Sequence, residues 1–267
     1  MSDDPIAKFK EIQKQGWAYF APLASLTTPV AGRLVKFAGV RSGQRVLDVA
    51  CGTGVVAVTA ARIGARVSGL DLTPELLAVA RENSQIAEVD VDWREGDVEA
   101  LPFADAEFDI VLSQFGHMFA PRPGVAIGQM LRVLKPGGTI AFATWPPELL
   151  IGASFTLVGS YMPAPPPGIS PPPQWGDPNS VRERLGNAVS DIVFDRDRML
   201  FPALSLQHYR ALIERTAGPM LKLVETLSGS DPARLAQFRR EYDAMIQPYF
   251  EDNIVRQDYL LTRATKR

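Results

Sequence analysis

Between residues 45 and 144, short apolar runs alternate with segments in which apolar residues recur every three or four positions. The runs have the length of buried strands, and the intervening segments have the spacing of helices with one apolar face. The predicted strands cover residues 46–50, 66–71, 89–94, 108–113 and 139–144. Strands and helices that alternate in this way form a parallel sheet with right-handed crossovers. The pattern therefore predicts an α/β fold with a doubly wound sheet.

The last third of the chain adds two strand patterns and several helices. Apolar and charged residues alternate over residues 191–201, which predicts a sixth strand, and residues 254–263 have the character of a seventh. The predicted helices cover residues 206–217 and 219–227, with a longer one beginning at the Asp231-Pro232 cap. The complete prediction is a seven-stranded, mostly parallel sheet flanked by helices.

The N-terminal residues predict a helical segment before the sheet. Residues 6–13 have the spacing of a short amphipathic helix. Thr28 and Pro29 have the character of a cap and a first turn, which predicts a second helix ending at Gly39. Between the two helices lie three aromatic residues, Trp17, Tyr19 and Phe20. Two roles stay open for them, a cover over the ligand edge of the sheet or a simple anchor for the helices.

Two proline triplets interrupt the strand–helix pattern between residues 163 and 177. Such a segment is stiff and lacks the N–H groups that a sheet interior needs. A flexible linker between domains would be richer in glycine and serine. An apolar helix over residues 148–162 precedes the prolines. We therefore expect residues 146–177 to form a cap over the edge of the sheet.

The composition is that of a globular protein, with 46% hydrophobic and 22% charged residues among 267. Its 28 basic and 30 acidic residues give a net charge of −2, which does not favour a nucleic-acid partner. One cysteine and two histidines predict neither a disulfide nor a metal site. Residues 1–5 lack a signal-peptide core, and the apolar run 149–162 is too short to span a bilayer. We expect a cytoplasmic protein, with a homodimer left open.

Candidate chemistry begins at the turn after the first strand. Gly52 and Gly54 break that strand, and a helix of small residues follows. The unpaired N–H groups and the positive end of the helix dipole then face a ligand. Asp71 ends the second strand, roughly 20 residues past the glycines, where a ribose-binding acid is expected. Its carboxylate could accept hydrogen bonds from both ribose hydroxyls.

Two further motifs lie farther along the chain. Residues 95–103 read Glu-Gly-Asp-Val-Glu-Ala-Leu-Pro-Phe, and residues 134–138 read Leu-Lys-Pro-Gly-Gly. Ligands of doubly wound sheets bind outside the carboxyl ends of the strands. The candidates that lie at such ends, and that we expect to share one edge, are Cys51, Asp71, Asp97 and Ser113.

Together, the segments from residue 45 to 145 resemble the class I S-adenosylmethionine-dependent methyltransferases, of the small-molecule type that includes the ubiquinone and menaquinone C-methyltransferases. The resemblance implies a Rossmann-like methyltransferase fold with S-adenosyl-L-methionine as the cofactor. It assigns Cys51, Gly52 and Thr53 to the methionine end of the cofactor, and Asp71 and Leu72 to the ribose. It assigns Asp97 and Val98 to the adenine, and Ser113 to the sulfonium. The expected cofactor site is completed by Asp48, Ala50, Gly54 and Glu99.

The chain departs from this family at one position of the turn. The family fingerprint usually has a glycine where this sequence has Ala50. We expect a negative φ there, because alanine adopts negative φ values without strain.

Two alternatives to methyl transfer stay open at this stage. Residues 52–57 also satisfy the Gly-x-Gly-x-x-Gly/Ala pattern of dinucleotide-binding folds, and Asp71 would suit the ribose of NAD. Asp48 counts against NAD, because a carboxylate before the turn could hold a methionine ammonium but would repel a pyrophosphate. The motifs at 95–103 and 134–138 have no role in an NAD enzyme. The other alternative is a non-catalytic protein that binds S-adenosylmethionine.

Residues 113–119 follow the fourth strand, where an acceptor would meet the methyl group. His117 is a candidate general base because its ordinary pKa lies near neutrality, or else a loop histidine with a packing role. A base is not obligatory, since the sulfonium is already activated and in-line placement supplies much of the acceleration. The aromatic residues expected on the substrate side are Trp17, Phe20, Phe115, Trp145 and Tyr161. This apolar set favours a small apolar or aromatic acceptor.

The predicted organisation has four parts. They are an N-terminal helical lid over residues 1–40, a cofactor-binding core over 41–145, a cap and substrate-side insertion over 146–250, and a last strand within 251–267. Whether the helices of the insertion touch the substrate or only cover the outer face stays open.

Overall fold

The computed structural model describes residues 4–267, so the first three positions of the predicted lid lie outside the described residues. The strands are β1 (Arg45–Val49), β2 (Arg66–Asp71), β3 (Val91–Glu95), β4 (Phe108–Gln114), β5 (Leu134–Thr144), β6 (Val189–Pro202), β7 (Phe250–Glu251) and β8 (Ile254–Lys266). The helices are α1 (Pro5–Trp17), α2 (Ala24–Ala38), α3 (Val55–Arg62), α4 (Pro74–Ile86), α5 (Pro123–Val133), α6 (Leu150–Tyr161), α7 (Pro178–Leu185), α8 (Leu206–Thr216), α9 (Gly218–Ser230) and α10 (Pro232–Ile246).

All eight strands form one sheet in the order β3-β2-β1-β4-β5-β8-β6, with the short β7 paired to β8. The first five strands are parallel to one another. The strand order reverses at β1, so the β1–β4 boundary is the switch point at which such sheets bind ligands. The doubly wound, mostly parallel sheet is thus confirmed, with two-residue β7 as an unpredicted eighth strand.

The central strands are apolar runs because both faces of the sheet are covered. In β1, Leu47 and Val49 are fully buried, and so are Val111 and Leu112 in β4. Helices on both faces of a parallel sheet remove its side chains from water, which selects continuous apolar runs over alternating ones. Burial therefore holds the carboxyl ends of β1, β2 and β4 in fixed relative positions.

The last strand extends the sheet in the opposite direction. The final residue of β5, Thr144, is paired with Leu260 of β8. Residues of β8 before Leu260 therefore continue beyond the carboxyl end of β5, above the edge where ligands bind. β6 is antiparallel to β8 along most of its length and supports this extension.

A second hydrophobic core lies above that edge. It is built by α6, α8, α9 and α10 with parts of β6 and β8, and its fully buried members include Tyr209, Leu223, Phe238 and Ile246. The helix α1 joins it through a close approach of Gly16 to Gly218, where an added Cβ at Gly16 would lie 3.1 Å from the Gly218 Cα. The ligand edge is thus roofed by helices from both ends of the chain.

The start predicted for the second helix was wrong. The helix α2 begins at Ala24, and Pro29 lies inside it. Thr27 and Thr28 are helical, and their hydroxyls donate to the Ala24 carbonyl. A proline inside a helix costs about 3 kcal/mol or more. The buried face that Thr27 shares with Val30 and later residues continues across the proline, and its packing outweighs that cost.

The proline-rich segment packs against the end of β5. Trp175 is fully buried, and its carbonyl accepts a hydrogen bond of 2.8 Å from the Thr144 hydroxyl. A Cβ at Gly176 would lie 2.0 Å from the Trp145 carbonyl oxygen, so the two backbones are in close contact. Among residues 4–267, no helix combines the length and apolar character needed to cross a bilayer.

Candidate functional site

A cavity of about 260 Å³ opens at the carboxyl edge of the sheet, between the strands and the helical roof. At one end it is lined by the turns after β1, β2 and β3, which cover residues 48–53, 70–73 and 96–98; we call this the polar end. At the other end it is lined by β6, β8 and helices α6 and α8–α10, from Trp145 onward in the chain; we call this the apolar end. Residues 114–116, after β4, lie between the two.

Asp71 organises the polar end through the backbone. One carboxylate oxygen accepts a 2.7 Å hydrogen bond from the Gly52 N–H, and the other accepts a 2.8 Å bond from the Thr73 N–H. Burial raises the pKa of Asp71, and these N–H donors offset part of the rise. Hydrogen bonds from the Thr73 hydroxyl and the Leu72 N–H lower the pKa of Asp71 further.

Asp48 is a buried carboxylate of the site with one unpaired oxygen. It is 1% exposed; its Oδ2 accepts from the Ala57 N–H at 3.0 Å, and its Oδ1 has no partner within residues 4–267. Burial raises the pKa of Asp48 well above its ordinary value, and the charge of Asp71 adds to the rise. A cationic ligand at this end would relieve both effects. The arrangement therefore fits S-adenosylmethionine, which carries an ammonium and a sulfonium.

The expectation of a negative φ at Ala50 was wrong. Ala50 has φ 51°, and Phe115, across the gap between β1 and β4, has φ 58°. A left-handed conformation costs an L-residue about 1–2 kcal/mol, and it is a clear outlier for a residue as bulky as phenylalanine. A Cβ at the neighbouring Gly116 would lie 2.5 Å from the Ala50 carbonyl oxygen. The two backbones are thus held in strained, close contact at the floor of the cavity.

Two lysines of α1 form ion pairs beside the polar end. The Lys10 ammonium lies 2.5 Å from a carboxylate oxygen of Asp97 and 2.5 Å from one of Glu99. Glu99, almost fully buried, also accepts hydrogen bonds from the Arg122 backbone and side chain. A second pair joins Lys14 to Glu95 at 2.7 Å. The first helix is therefore held over the end of β3 and the turn after it by ion pairs.

The cavity brings together most of the residues predicted for a cofactor. Those that line it are Asp48, Ala50, Cys51, Gly52, Thr53, Asp71, Leu72, Asp97 and Val98. Gly54, Glu99 and Ser113 are not among the lining residues. The missing Cβ of Gly54 accommodates Trp93, whose ring an added Cβ would approach to 2.4 Å. The Ser113 hydroxyl donates to the Val49 carbonyl and accepts from the His117 N–H, so it links β4 to β1.

The structure places the side chain of His117 away from the cavity. Its ring is fully buried between Phe142 and Trp175, at centroid distances of 4.6 and 4.7 Å. Neither ring nitrogen has a hydrogen-bond partner within residues 4–267. Burial, with a smaller effect from the charge of Arg184, lowers the pKa of His117 to about 3. Such a group is a weak proton acceptor, and this position gives no support to a general-base role.

Aromatic rings form the walls between the two ends. Phe115 and Trp145 stack with centroids 3.8 Å apart and planes 9° apart. Trp17 lies 4.7 Å from Phe119, and Phe20 also lines the cavity. Of the predicted substrate-side residues, Tyr161 is not in the lining; its ring packs at 5.2 Å against Phe238 in the second core. None of residues 163–177 lines the cavity.

The sequence did not identify the polar groups that line the apolar end. They are Ser154, Tyr209, Tyr242 and Gln257, and Gln114 lies between the two ends. Tyr242 lies buried in the helix predicted to begin at the Asp231-Pro232 cap, but the sequence could not distinguish a core tyrosine from one that lines a cavity. Gln257 lies in the polar triplet Arg256-Gln257-Asp258 of β8, so no signal in the sequence indicates that its side chain is buried.

The chain resembles known proteins in sequence and in fold. A family model described as a methyltransferase domain matches residues 47–142. An uncharacterized protein of Mycobacterium tuberculosis is 35% identical over 95% of this chain and 93% of its own length. The 2-phytyl-1,4-naphtoquinone methyltransferase of Synechocystis is 42% identical over 40% of this chain and 47% of its own length. The structure of Haemonchus contortus phosphoethanolamine N-methyltransferase 2 in complex with S-adenosyl-L-methionine has a TM-score of 0.56 and 21% identity, over 89% of this chain and 52% of that one.

Proposed function

Because the chain belongs to the class I S-adenosylmethionine-dependent methyltransferases, we propose that it transfers the methyl group of that donor to a small apolar or aromatic acceptor. The enzyme class and the donor follow from the family. The acceptor class and the roles of individual residues are our proposal, and they rest on the geometry of the cavity.

The donor binds at the polar end in this proposal. S-adenosylmethionine supplies a methyl group already activated by its sulfonium. Asp48 accepts hydrogen bonds from the ammonium through its unpaired Oδ1, and the turn at Gly52 allows close backbone approach. Asp71 accepts from the ribose hydroxyls, and Asp97 with Val98 borders the adenine. The unpaired, buried Oδ1 of Asp48 is the observation that carries this assignment, because a buried carboxylate without a partner is costly until a cation binds.

The acceptor binds at the apolar end. The walls of Phe115, Trp145 and Phe119 and the helical roof offer large apolar surfaces and few polar groups, which suits a hydrophobic molecule. The Synechocystis relative is named for a naphthoquinone, and its likeness is confined to about half of its length. That name supports an apolar ring as acceptor and does not define which ring.

Catalysis in this proposal consists of placement and exclusion of water. The helix α1, held through Lys10 over the polar end, acts as a lid on the donor. Stacked Phe115 and Trp145 fix the acceptor ring beside the floor of the cavity. Holding two reactants in line can supply about 7–11 kcal/mol of a barrier, so no general base is assigned.

The test is formation of S-adenosylhomocysteine by the purified full chain with a panel of acceptors. The panel contains neutral phenols and hydroquinones on one side and phosphoethanolamine with other charged amines on the other. We expect turnover with neutral aromatic acceptors, and its loss in Asp71→Ala. Turnover confined to the charged acceptors would overturn the acceptor class, while leaving the enzyme class intact.

A further inference from the structure

A pair of buried polar side chains faces the apolar end of the cavity without a role in donor binding. The Gln257 side-chain amide donates a 2.8 Å hydrogen bond to the Tyr209 hydroxyl. Both residues line the cavity, and they are 3% and 0% exposed. Polar groups this deeply buried are costly unless their hydrogen-bonding capacity is used.

The pair lies far from the polar end. In the sheet, β8 is three strand positions from β1, which corresponds to roughly 14 Å at the usual strand spacing. Gln257 precedes Leu260, the partner of Thr144 at the end of β5, by three residues, so it lies about 10 Å beyond that edge. A ligand group beside the Tyr209–Gln257 pair would therefore belong to the acceptor and would lie at its remote end.

The unused hydrogen-bonding capacity of the pair is specific. The Tyr209 oxygen accepts the hydrogen bond of the Gln257 amide, and no hydrogen bond donated by the Tyr209 hydroxyl is found within residues 4–267. A phenol also carries one proton, so Tyr209 keeps that proton for donation to a ligand. The Gln257 side-chain carbonyl has no hydrogen-bond donor within residues 4–267. The Tyr209 hydroxyl is thus a free donor beside the Gln257 carbonyl, a free acceptor.

The surroundings exclude a charged ligand group. From Trp145 onward, the described residues that line the cavity include no lysine, arginine, histidine, aspartate or glutamate. The nearby carboxylate of Glu214 is not in the lining and is already paired with Arg239 and Arg210. Burial also raises the pKa of Tyr209, so its proton is retained at neutral pH. A ligand charge here would have no counter-charge.

We propose that Tyr209 and Gln257 form a specificity site for one uncharged hydroxyl group on an otherwise apolar acceptor. A hydroxyl accepts the Tyr209 proton and donates to the Gln257 carbonyl, so it completes both groups at once. This inference rests on the proposed function, which it sharpens from an apolar or aromatic acceptor to a neutral phenol or alcohol. The residues select and position the acceptor, and they take no part in the transfer step.

The test is equilibrium dialysis of three probes against the full chain saturated with S-adenosylhomocysteine: 1-naphthol, naphthalene and 1-naphthoate. We expect 1-naphthol to bind about tenfold more tightly than either other probe, because only it satisfies both buried groups. Tyr209→Phe and Gln257→Met should each reduce that preference to about threefold or less, with naphthalene binding unchanged. Tyr249→Phe, a tyrosine outside the cavity lining, should leave all three affinities as in the wild type.

The outcomes separate this inference from the function on which it rests. Equal binding of 1-naphthol and naphthalene, tighter binding of 1-naphthoate, or binding of none of the probes would overturn it. So would a 1-naphthol preference that survives in both variants. The affinity for S-adenosylhomocysteine is measured first, in the wild type and in each variant. If the wild type does not bind S-adenosylhomocysteine, the donor assignment is refuted instead. The three probes would then be compared in the absence of S-adenosylhomocysteine.

Discussion

The two ends of the cavity are built in different ways. The polar end is made of turns between residues 48 and 98, where Asp48 and Asp71 line the cavity and their carboxylates accept hydrogen bonds from backbone N–H groups. The apolar end is made of side chains from six secondary-structure elements spread between Trp145 and Gln257. The polar end therefore depends on chain geometry, whereas the apolar end can change its ligand by side-chain substitution without altering the sheet.

The ends also differ in backbone strain. Ala50 and Phe115 adopt left-handed conformations at the floor beside the polar end. The residues that line the apolar end from Trp145 onward have no positive φ value. Strain that persists in a folded protein must be held by its surroundings, here by the close contact of Gly116 with Ala50. The polar end is thus preorganised, and the apolar end is an ordinary packed core with space in it.

The largest expected effect concerns Asp71. Asp71→Ala removes the acceptor of the Gly52 and Thr73 N–H groups as well as the proposed ribose contact, so it should weaken S-adenosylhomocysteine binding about 100-fold, or about 2.7 kcal/mol. Calorimetric titration measures the dissociation constant. Asp92→Ala, at an exposed carboxylate on β3 paired with Arg94, is the matched control and should bind normally. An unchanged dissociation constant in Asp71→Ala would mean that Asp71 does not bind the donor, and the main distinction between the two ends would be lost.

The next effect concerns His117, whose pKa burial lowers to about 3. In the unfolded chain His117 takes up a proton near pH 6.5, whereas in the folded chain it does not. The free energy of unfolding is therefore unaffected by His117 above pH 6.5 and falls as the pH drops toward 3. At pH 5 the loss should be about 2 kcal/mol, and His117→Phe should abolish it. Denaturant unfolding at pH 7.5 and pH 5 measures this difference.

The exposed His208 provides the control, since His208→Gln should keep the wild-type loss at low pH. His117→Phe should also retain turnover at pH 7.5. Turnover lost in a folded His117→Phe protein, with donor binding intact, would restore the general-base hypothesis.

A smaller effect tests the strain at the polar end. Ala50→Gly should raise the free energy of unfolding by about 0.5–1 kcal/mol, because glycine adopts φ 51° without a Cβ clash and the gain exceeds its extra unfolded-state entropy. Ala61→Gly, the same change inside α3, should lower stability by about 1 kcal/mol. Chemical denaturation compares the two variants, and a loss of stability in both would mean that Ala50 is not strained.

The smallest effect concerns the lid. Lys10→Met removes the ion pairs to Asp97 and Glu99 and should weaken S-adenosylhomocysteine binding about threefold, the range of a partly exposed ion pair. Lys8→Met, at an exposed lysine of the same helix, should have no effect. Tighter donor binding in Lys10→Met would show that Lys10 competes with the ligand for Asp97 and does not hold a cover over it.

The sheet and the polar end could be predicted because their signals are local. Apolar runs separated by helical spacing defined β1 to β5, and short motifs put Gly52, Asp71 and Asp97 at strand ends. The φ of Ala50 could not be predicted from its sequence neighbours, because the backbone that packs against Ala50 at Gly116 is distant in sequence. The true start of α2 could not be predicted either, because packing of its buried face continues the helix across Pro29.

The apolar end could not be predicted for the same reason. Tyr209, Tyr242 and Gln257 come from three elements that meet only through the helical roof, and each fits its element as an ordinary buried residue. The four-part division of the chain, the homodimer and the absence of a nucleic-acid partner stay predictions. A lone histidine after β4 invited a catalytic role, and its burial beside Phe142 and Trp175 depends on contacts that no local pattern encodes.

The most direct test of the division between the ends is a crystal structure with S-adenosylhomocysteine bound. We predict homocysteine density at Asp48 and Gly52, ribose at Asp71 and adenine beside Asp97, with the part of the cavity beside Tyr209 and Gln257 left to the acceptor. Nucleoside density beside Tyr209 and Gln257, or outside the cavity altogether, would contradict this prediction.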